Sequence, residues 1–222
     1  MSINKAYKNA GEMPRIIPVF PLTGALLLPR GQMPLNIFEP RYLAMIDDAM
    51  RTHRIVGMVQ PAFDASGGQD KPALNKVGCA GRITQLAESG DGRYMIAVSG
   101  VARFGVVEEI DAITPYRQCR VDFAPYDLDF TPAFGEELVD REGLLRALKD
   151  FAKANKLQVD WDSINEAPNE ALVNALSMMS PFGPKEKQAL LEAGTLQMRA
   201  DVLIAISEME TARSAGTSSA LQ

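Results

Sequence analysis

The sequence predicts an α+β protein: a small β-barrel or rolled sheet, followed by an α-helical bundle. Three observations predict it. As far as residue 124 the apolar residues come in short runs broken by Pro and Gly. Beyond residue 135 they recur with a period near 3.6. Only one helical pattern interrupts the first part. The change of period falls in PYDLDFTPAFGEE, near 125–135. The 222 residues are enough for one large domain or two small ones, and a hydrophobic fraction of 46% marks a globular chain.

RIIPVFPL (15–22) is the first strand-like run. Pro18 and Pro21 place it at an edge or a bulge, because proline has no N–H for the ladder. ALLLPRG (25–31) reads as a second strand, stopped by Pro29 and Gly31, and PLNIF (34–38) as a third. A helix follows from Pro40 to about Arg51. Its residues Tyr42, Met45, Ile46, Ala49 and Met50 form one stripe for burial, and Asp47 and Asp48 turn toward water. At its start, Glu39 suits the positive end of the helix dipole and Pro40 sets the first turn. Arg41 gains nothing from the dipole there, so it is expected to find a partner on the barrel. The trio reads as a strand-to-helix junction, not as a catalytic pair.

RIVGMVQ (54–60) is the next strand, and PAFDASGGQDKPALN (61–75) a surface loop. KVGCAGRITQLAE, RYMIAVSG and ARFGVVEEIDAI read as three more strands, with SGDG (89–92) as a hairpin turn between the first two. YRQCRVDFA (116–124) closes the β part. The helical part begins with a stripe of Leu144, Leu145, Leu148, Phe151 and Ala152, then a short element holding Trp161 and Ile164. Asn169 is placed to cap a helix carrying Leu172, Val173, Leu176 and Met179; Pro184 opens the next, and Gly194 ends it. Thr195 is placed to cap the last, with Leu196, Ala200, Leu203, Ile206 and Met209 facing inward. The expected layout is an arm at 1–13, the barrel at 14–124, the bundle at 133–213 and a disordered tail at 214–222.

The net charge is −5, divided unevenly: residues 1–115 carry 12 Lys and Arg against 11 Asp and Glu. No part shows the basic excess of a nucleic-acid binder. No apolar run approaches a membrane span, and the N-terminus lacks the apolar stretch of a signal peptide, so a cytoplasmic protein is expected. There is no G-x-x-x-x-G-K-[ST] loop and no G-x-S-x-G elbow. His53, the only histidine, and the distant Cys79 and Cys119 do not make a zinc set. The adjacent carboxylates Asp47–Asp48, Glu108–Glu109 and Glu136–Glu137 point apart. No catalytic, cofactor or metal residue is assigned. Apolar binding is the better prospect, because the proline-broken segment PVFPLTGALLLPRGQMPL leaves edges open to an extended peptide.

PVFPLTGALLLPRGQMPLNIFEPRYLAMIDDAM, IVGMVQ, VGCAGRI and GRYMIAVSGVARFGVVE, taken together, resemble the N-terminal, substrate-binding domain of the ATP-dependent Lon protease. LNIFEPRY looks like the version found in small stand-alone bacterial proteins, and the later helical sequence is similar to their extension. The resemblance implies a PUA-like β-barrel of Lon N-terminal type over 14–124, with a helical bundle behind it. It implies non-catalytic recognition of polypeptide segments or unfolded proteins, with a separate protease as a further partner. A groove near Leu22, Leu27, Pro29, Phe38 and Tyr42 is the expected contact. Two alternatives stay open. One is an RNA-binding PUA-like module, if Arg82, Arg93, Arg103, Arg117 and Arg120 gather on one face. The other is an unrecognised hydrolase.

Overall fold

The computed structural model describes residues 6–62 and 71–219, with side chains through Ser214. Six strands form one sheet: β1 (Ile16–Pro21), β2 (Gln32–Ile37), β3 (Ile55–Pro61), β4 (Leu74–Glu88), β5 (Tyr94–Ile110) and β6 (Gln118–Asp122). Their order is β2-β5-β4-β3-β1-β6, and a further β5–β6 pairing closes a ring of five strands with β2 outside it. Neighbours are antiparallel except β1 and β3. A parallel pair needs a crossover, and the helix α1 (Pro40–Arg51) lies in it.

Two of the expected strands are one. RYMIAVSG and ARFGVVEEIDAI join into the 17-residue β5, which bends where the β4 register slips between Ala80 and Gly81. The first half of β5 carries β2 and faces the helices; the second half belongs to the ring. ALLLPRG, in contrast, is no strand. Leu26, Leu27 and Leu28 are buried in an irregular segment laid on β5, and a Cβ at Gly100 would run into the Leu28 carbonyl oxygen. The Arg30 N–H donates to the Gly100 carbonyl at 2.8 Å, and the Gly100 N–H to the Gly31 carbonyl at 2.8 Å. Arg30 holds φ +65° at this bulge, the left-handed region that a side chain enters at a cost. The hairpin at 89–92 forms as expected, with Gly90 and Gly92 at positive φ.

The ring encloses Ile17, Val19, Ile55, Val59, Ala80, Ala102, Phe104, Cys119 and Val121. Gly57 and Gly78 leave the space that the Phe104 ring fills, since a Cβ on either would meet that ring. Outside the ring a larger cluster joins Val56, Met58, Ile83, Ile96 and Val98 to α1 and to the bundle.

The bundle comprises α2 (Arg141–Ala154), α3 (Trp161–Glu166), α4 (Asn169–Met179), α5 (Pro184–Glu192) and α6 (Leu196–Ser219). Thr195 caps α6, its Oγ1 accepting from the Met198 N–H at 3.1 Å. Asn169 is not the cap of α4 but its first residue, after Pro168. Its side chain instead accepts from Arg141 at 2.6 Å and donates to the Glu136 carbonyl at 3.1 Å. Met209, expected inside, is exposed, and Met179 of α4 is exposed too. α6 runs on to Ser219, because a packed helix propagates easily into a small-residue stretch, so most of 214–222 is helical backbone. Residues 220–222, residues 1–5 of the arm and 63–70 of the surface loop lie outside the described residues.

Candidate functional site

A hollow of about 550 Å³ lies where the barrel meets the bundle, a size typical of ligand-binding clefts. One wall is Pro29–Gln32. The opposite wall is α4, which contributes Ala171, Ala175, Met178 and Met179; Pro132 and Ala133 close one end. The sequence dictates this shape locally. Ala171, Ala175 and Met178 stand at i, i+4 and i+7 on α4, so they share a face, while Leu172 and Val173 turn into the bundle. Gly31 makes room for Met178, whose sulfur occupies the place a Cβ would take. Met179 is 83% exposed at the rim. Methionine is flexible and polarisable, which suits a surface that accepts varied apolar chains.

A polar rim braces the cleft. The Arg30 guanidinium donates to the Glu170 carboxylate on α4 and, at 2.6 Å, to the Asp129 carbonyl. The other Glu170 oxygen accepts from the Ala133 N–H at 2.9 Å. The Glu136 carboxylate accepts from the Glu170 N–H at 2.9 Å, at the positive end of α4.

Beneath the cleft the seam is unusually polar. Arg103 of β5 is 3% exposed and grips both carboxylate oxygens of Asp129 through Nε and Nη2, at 2.9 and 2.7 Å. Its remaining donors reach the Leu191, Ala193 and Gly194 carbonyls at the end of α5. Arg199 of α6, 4% exposed, donates to the Leu190 carbonyl at 3.1 Å and to Asn174 Oδ1 at 3.0 Å. Asn174 passes the link on to the Pro29 carbonyl at 3.1 Å. Burial first, and the Arg103 charge second, push the Arg199 guanidinium down to about 10, so it is still a cation at neutral pH. On the other flank, Gln60 accepts from the Gly24 N–H and donates to Pro184 and Gln188.

The five residues proposed from sequence do not meet in one groove. Pro29 lines the cleft. Leu27 is buried in the apolar core, and Leu22 is half-buried against it. Tyr42 is buried, its ring stacked on Phe20 at 4.1 Å. Phe38 is 60% exposed at the end of β2, with the Arg93 guanidinium 6.0 Å over its ring. Sequence reading missed Arg30, Glu170, Ala175 and Met178. The i, i+4, i+7 spacing of Ala171, Ala175 and Met178 is a signal in the sequence, but small and flexible apolar residues beside the Leu172, Val173 and Leu176 stripe look like its margin.

The junction residues behave as a local unit. Arg41 bonds Glu39 at 2.9 and 2.7 Å and lies 4.6 Å over the Tyr42 ring, so its partner is its own neighbour and not the barrel. Asp47 and Asp48 are half-buried, not free in water, and accept from the Tyr94 and Tyr116 hydroxyls at 3.0 and 2.8 Å. Burial, then the Asp48 bond, pushes the Tyr116 hydroxyl up to about 12.

The five arginines do not form a basic face. Arg103 is buried, Arg93 pairs with Asp91, Arg117 with Glu109 and Arg120 with Glu108, and Arg82 lies 5.8 Å over the Tyr7 ring. Cys79 and Cys119 are buried free thiols; burial pushes Cys79 far up and Cys119 up to about 11. Among the described residues no cluster of His, Cys, Asp or Glu could hold a metal ion, and no helix is long and apolar enough to cross a membrane.

Residues 16–206 match the family described as the ATP-dependent protease La (LON) substrate-binding domain. Lon protease 2 of Myxococcus xanthus is 29% identical over 208 residues, 88% of this chain and 24% of that protease. The Lon protease of Flavobacterium johnsoniae is 27% identical over 205 residues, 86% of this chain and 24% of that protease. The chain thus spans about a quarter of these relatives. Two solved structures share the fold. The Lon N-terminal domain protein from Xanthomonas campestris superposes with a TM-score of 0.61 at 21% identity, covering 86% of this chain and 97% of that one. The N-terminal domain of the Mycobacterium avium complex Lon protease gives 0.64 at 18%, covering 87% and 98%. With the family matched across ring, cleft and bundle alike, this chain belongs to the Lon substrate-binding domain family.

Proposed function

We propose that the chain is a non-catalytic module that recognises apolar polypeptide segments, with the cleft between Pro29–Gln32 and α4 as the contact. The observation that carries this is the cleft's composition: a floor of Ala and Met side chains with a braced Arg30–Glu170 rim. Such a site gains from burying apolar side chains and offers charged groups at its edge to orient a backbone. Its affinity for any one sequence would be modest, as suits a reader of many unfolded segments. Burial raises both thiols, which takes Cys79 and Cys119 out as thiolate nucleophiles. Paired arginines likewise take away the support for RNA binding. A separate protease as recipient of the bound chain, and a cytoplasmic setting that keeps both thiols reduced, belong to the same proposal.

Fluorescence anisotropy with a labelled, permanently unfolded polypeptide tests the site. Ala175→Arg and Met179→Asp both change exposed positions on a helix, so the fold should survive. Each should weaken binding about tenfold, the effect of losing a hot-spot contact worth roughly 1–2 kcal/mol. Unchanged affinity in both folded variants would remove the cleft from the reading; no binding by the wild type would remove the reading itself.

A further inference from the structure

We propose that the free edge of β2 takes up an extended polypeptide segment as an added strand, main chain bonded to main chain. The inference rests on the peptide reading above and gives it a binding mode. β2 stands outside the ring and pairs with β5 alone. The phase of that pairing follows from the bulge at its start, where Arg30 and Gly31 share Gly100. Hydrogen-bonded pairs recur at every second residue, so Met33, Leu35 and Ile37 turn their main-chain groups to Val98, Ile96 and Tyr94. The Ala97 carbonyl lies on the other side of β5, toward β4, where it accepts from the Thr84 hydroxyl at 3.2 Å, as this phase requires. The main-chain groups of Gln32, Pro34 and Asn36 therefore point to the free edge. All three residues are exposed, and among the described residues none of those groups has a partner.

The edge offers the N–H groups of Gln32 and Asn36 and the carbonyls of all three residues, repeated at every second position. An extended backbone carries the complementary groups at that spacing. Pro34 decides whose backbone it is. If β2 paired with β2 of a second copy, each copy would bring the same missing donor. Centred on Pro34, such a pair would set two carbonyls face to face with no hydrogen between them. A foreign segment meets the Pro34 carbonyl with an N–H of its own. The edge thus resists self-pairing, the hazard of an open strand, and keeps its other groups for another chain. Apolar side chains are favoured on that chain. Met33 and Leu35 are half-buried against the core, and the inward side chains of an added strand would cover what they leave open. Gln32 also lines the cleft, so a segment laid along β2 runs on toward Ala175 and Met178. Main-chain pairing of this kind is indifferent to sequence, which suits a reader of varied unfolded segments.

The probe is a labelled peptide of alternating leucine and serine, measured by fluorescence anisotropy with the full chain. Two modified forms carry N-methyl groups on the leucine amides or on the serine amides. One form should lose binding about tenfold or more and the other stay within about twofold, because only alternate amides of a paired strand face β2. An equal response of the two forms overturns the proposal, and leaves the cleft reading in place where Ala175→Arg still weakens binding. No binding of the unmodified peptide removes both. Variants of the edge test it from the other side. Pro34→Ala supplies the missing N–H and should tighten binding about three- to tenfold, the worth of one hydrogen bond. Asn36→Pro removes an outward N–H without touching the β5 ladder, and should weaken binding by a similar factor at unchanged Tm; Pro34 shows that this edge bears proline. Should Asn36→Pro fail to fold, Pro34→Ala decides alone. A Pro34→Ala chain that dimerises without binding the peptide more tightly would make the edge a self-pairing surface and defeat the proposal.

Discussion

The inside of the ring and the seam beneath the cleft are equally buried and are built on opposite principles. Inside the ring the side chains are Ile, Val, Ala, Cys and Phe. At the seam they are Arg103, Asp129, Arg199, Asn174, Gln60 and Gln188. The difference lies in who satisfies the backbone. Strands in a closed ring pair their N–H and C=O groups with each other, so their side chains are free to be apolar. Helix ends and irregular segments leave carbonyls over. Leu190, Leu191, Ala193 and Gly194 at the end of α5, and Pro29 before the bulge, are such groups, and each receives an Arg or Asn donor. Guanidinium groups suit that end of a helix on dipole grounds as well.

Two substitutions should set the regions against each other with the largest effects. Asp129→Ala strands the Arg103 cation in the interior and should cost about 3–5 kcal/mol. Phe104→Ala opens a void against Gly57 and Gly78 and should cost about 3–5 kcal/mol. Denaturant melts can report both, but repair separates them. Arg103→Met with Asp129→Leu removes the stranded charge and should recover much of the first loss. Recovery should stop short, because the α5 carbonyls lose their donors. Full recovery would mean that the seam is held by apolar packing, as the ring is, and the contrast would fail.

The ring was legible in the sequence because its pattern is local: short apolar runs, Gly90 and Gly92 in a hairpin, and prolines in the first run. The α1 stripe was legible for the same reason. What escaped was set by distant partners. ALLLPRG has the composition of a strand, yet it lies flat because Gly100, some seventy residues on, lacks a Cβ. Arg103 looks like any surface arginine in ARFGVVEE until Asp129 and the end of α5 close over it. Met209 fits the inward period of α6, yet it is exposed in the stretch of that helix beyond Ser207, the last of its buried residues. The cleft depends on both kinds of distant contact, which explains why only Pro29 of the five expected residues lines it.

A middle-sized effect probes the link from seam to cleft. Asn174→Leu is close in volume, but it orphans the Pro29 carbonyl and leaves Arg199 with one partner fewer. The expected loss is roughly 1–3 kcal/mol. Because Pro29 forms a cleft wall and Asn174 itself borders the cleft, polypeptide affinity should fall too. A stability loss with unchanged affinity would show that the wall is positioned by the Gly31–Met178 contact and not by this hydrogen bond.

The smallest effect falls on the outer rim of the ring, where neither principle governs. Glu109 of β5 is held below the usual carboxylate range, first by the Arg117 hydrogen bonds and then by Lys71. A carboxyl depressed in the folded state contributes stability above its unfolded value, near 4.5, and loses it as pH falls through the folded one. The pair is partly solvated, so Glu109→Gln should cost no more than about 1 kcal/mol at neutral pH. Below pH 4.5 the variant and wild-type stabilities should converge, as protonation does to the wild type what the substitution has already done. A gap between the two that persists unchanged below pH 4.5 would show that the Arg117 hydrogen bonds do not set the contribution of Glu109.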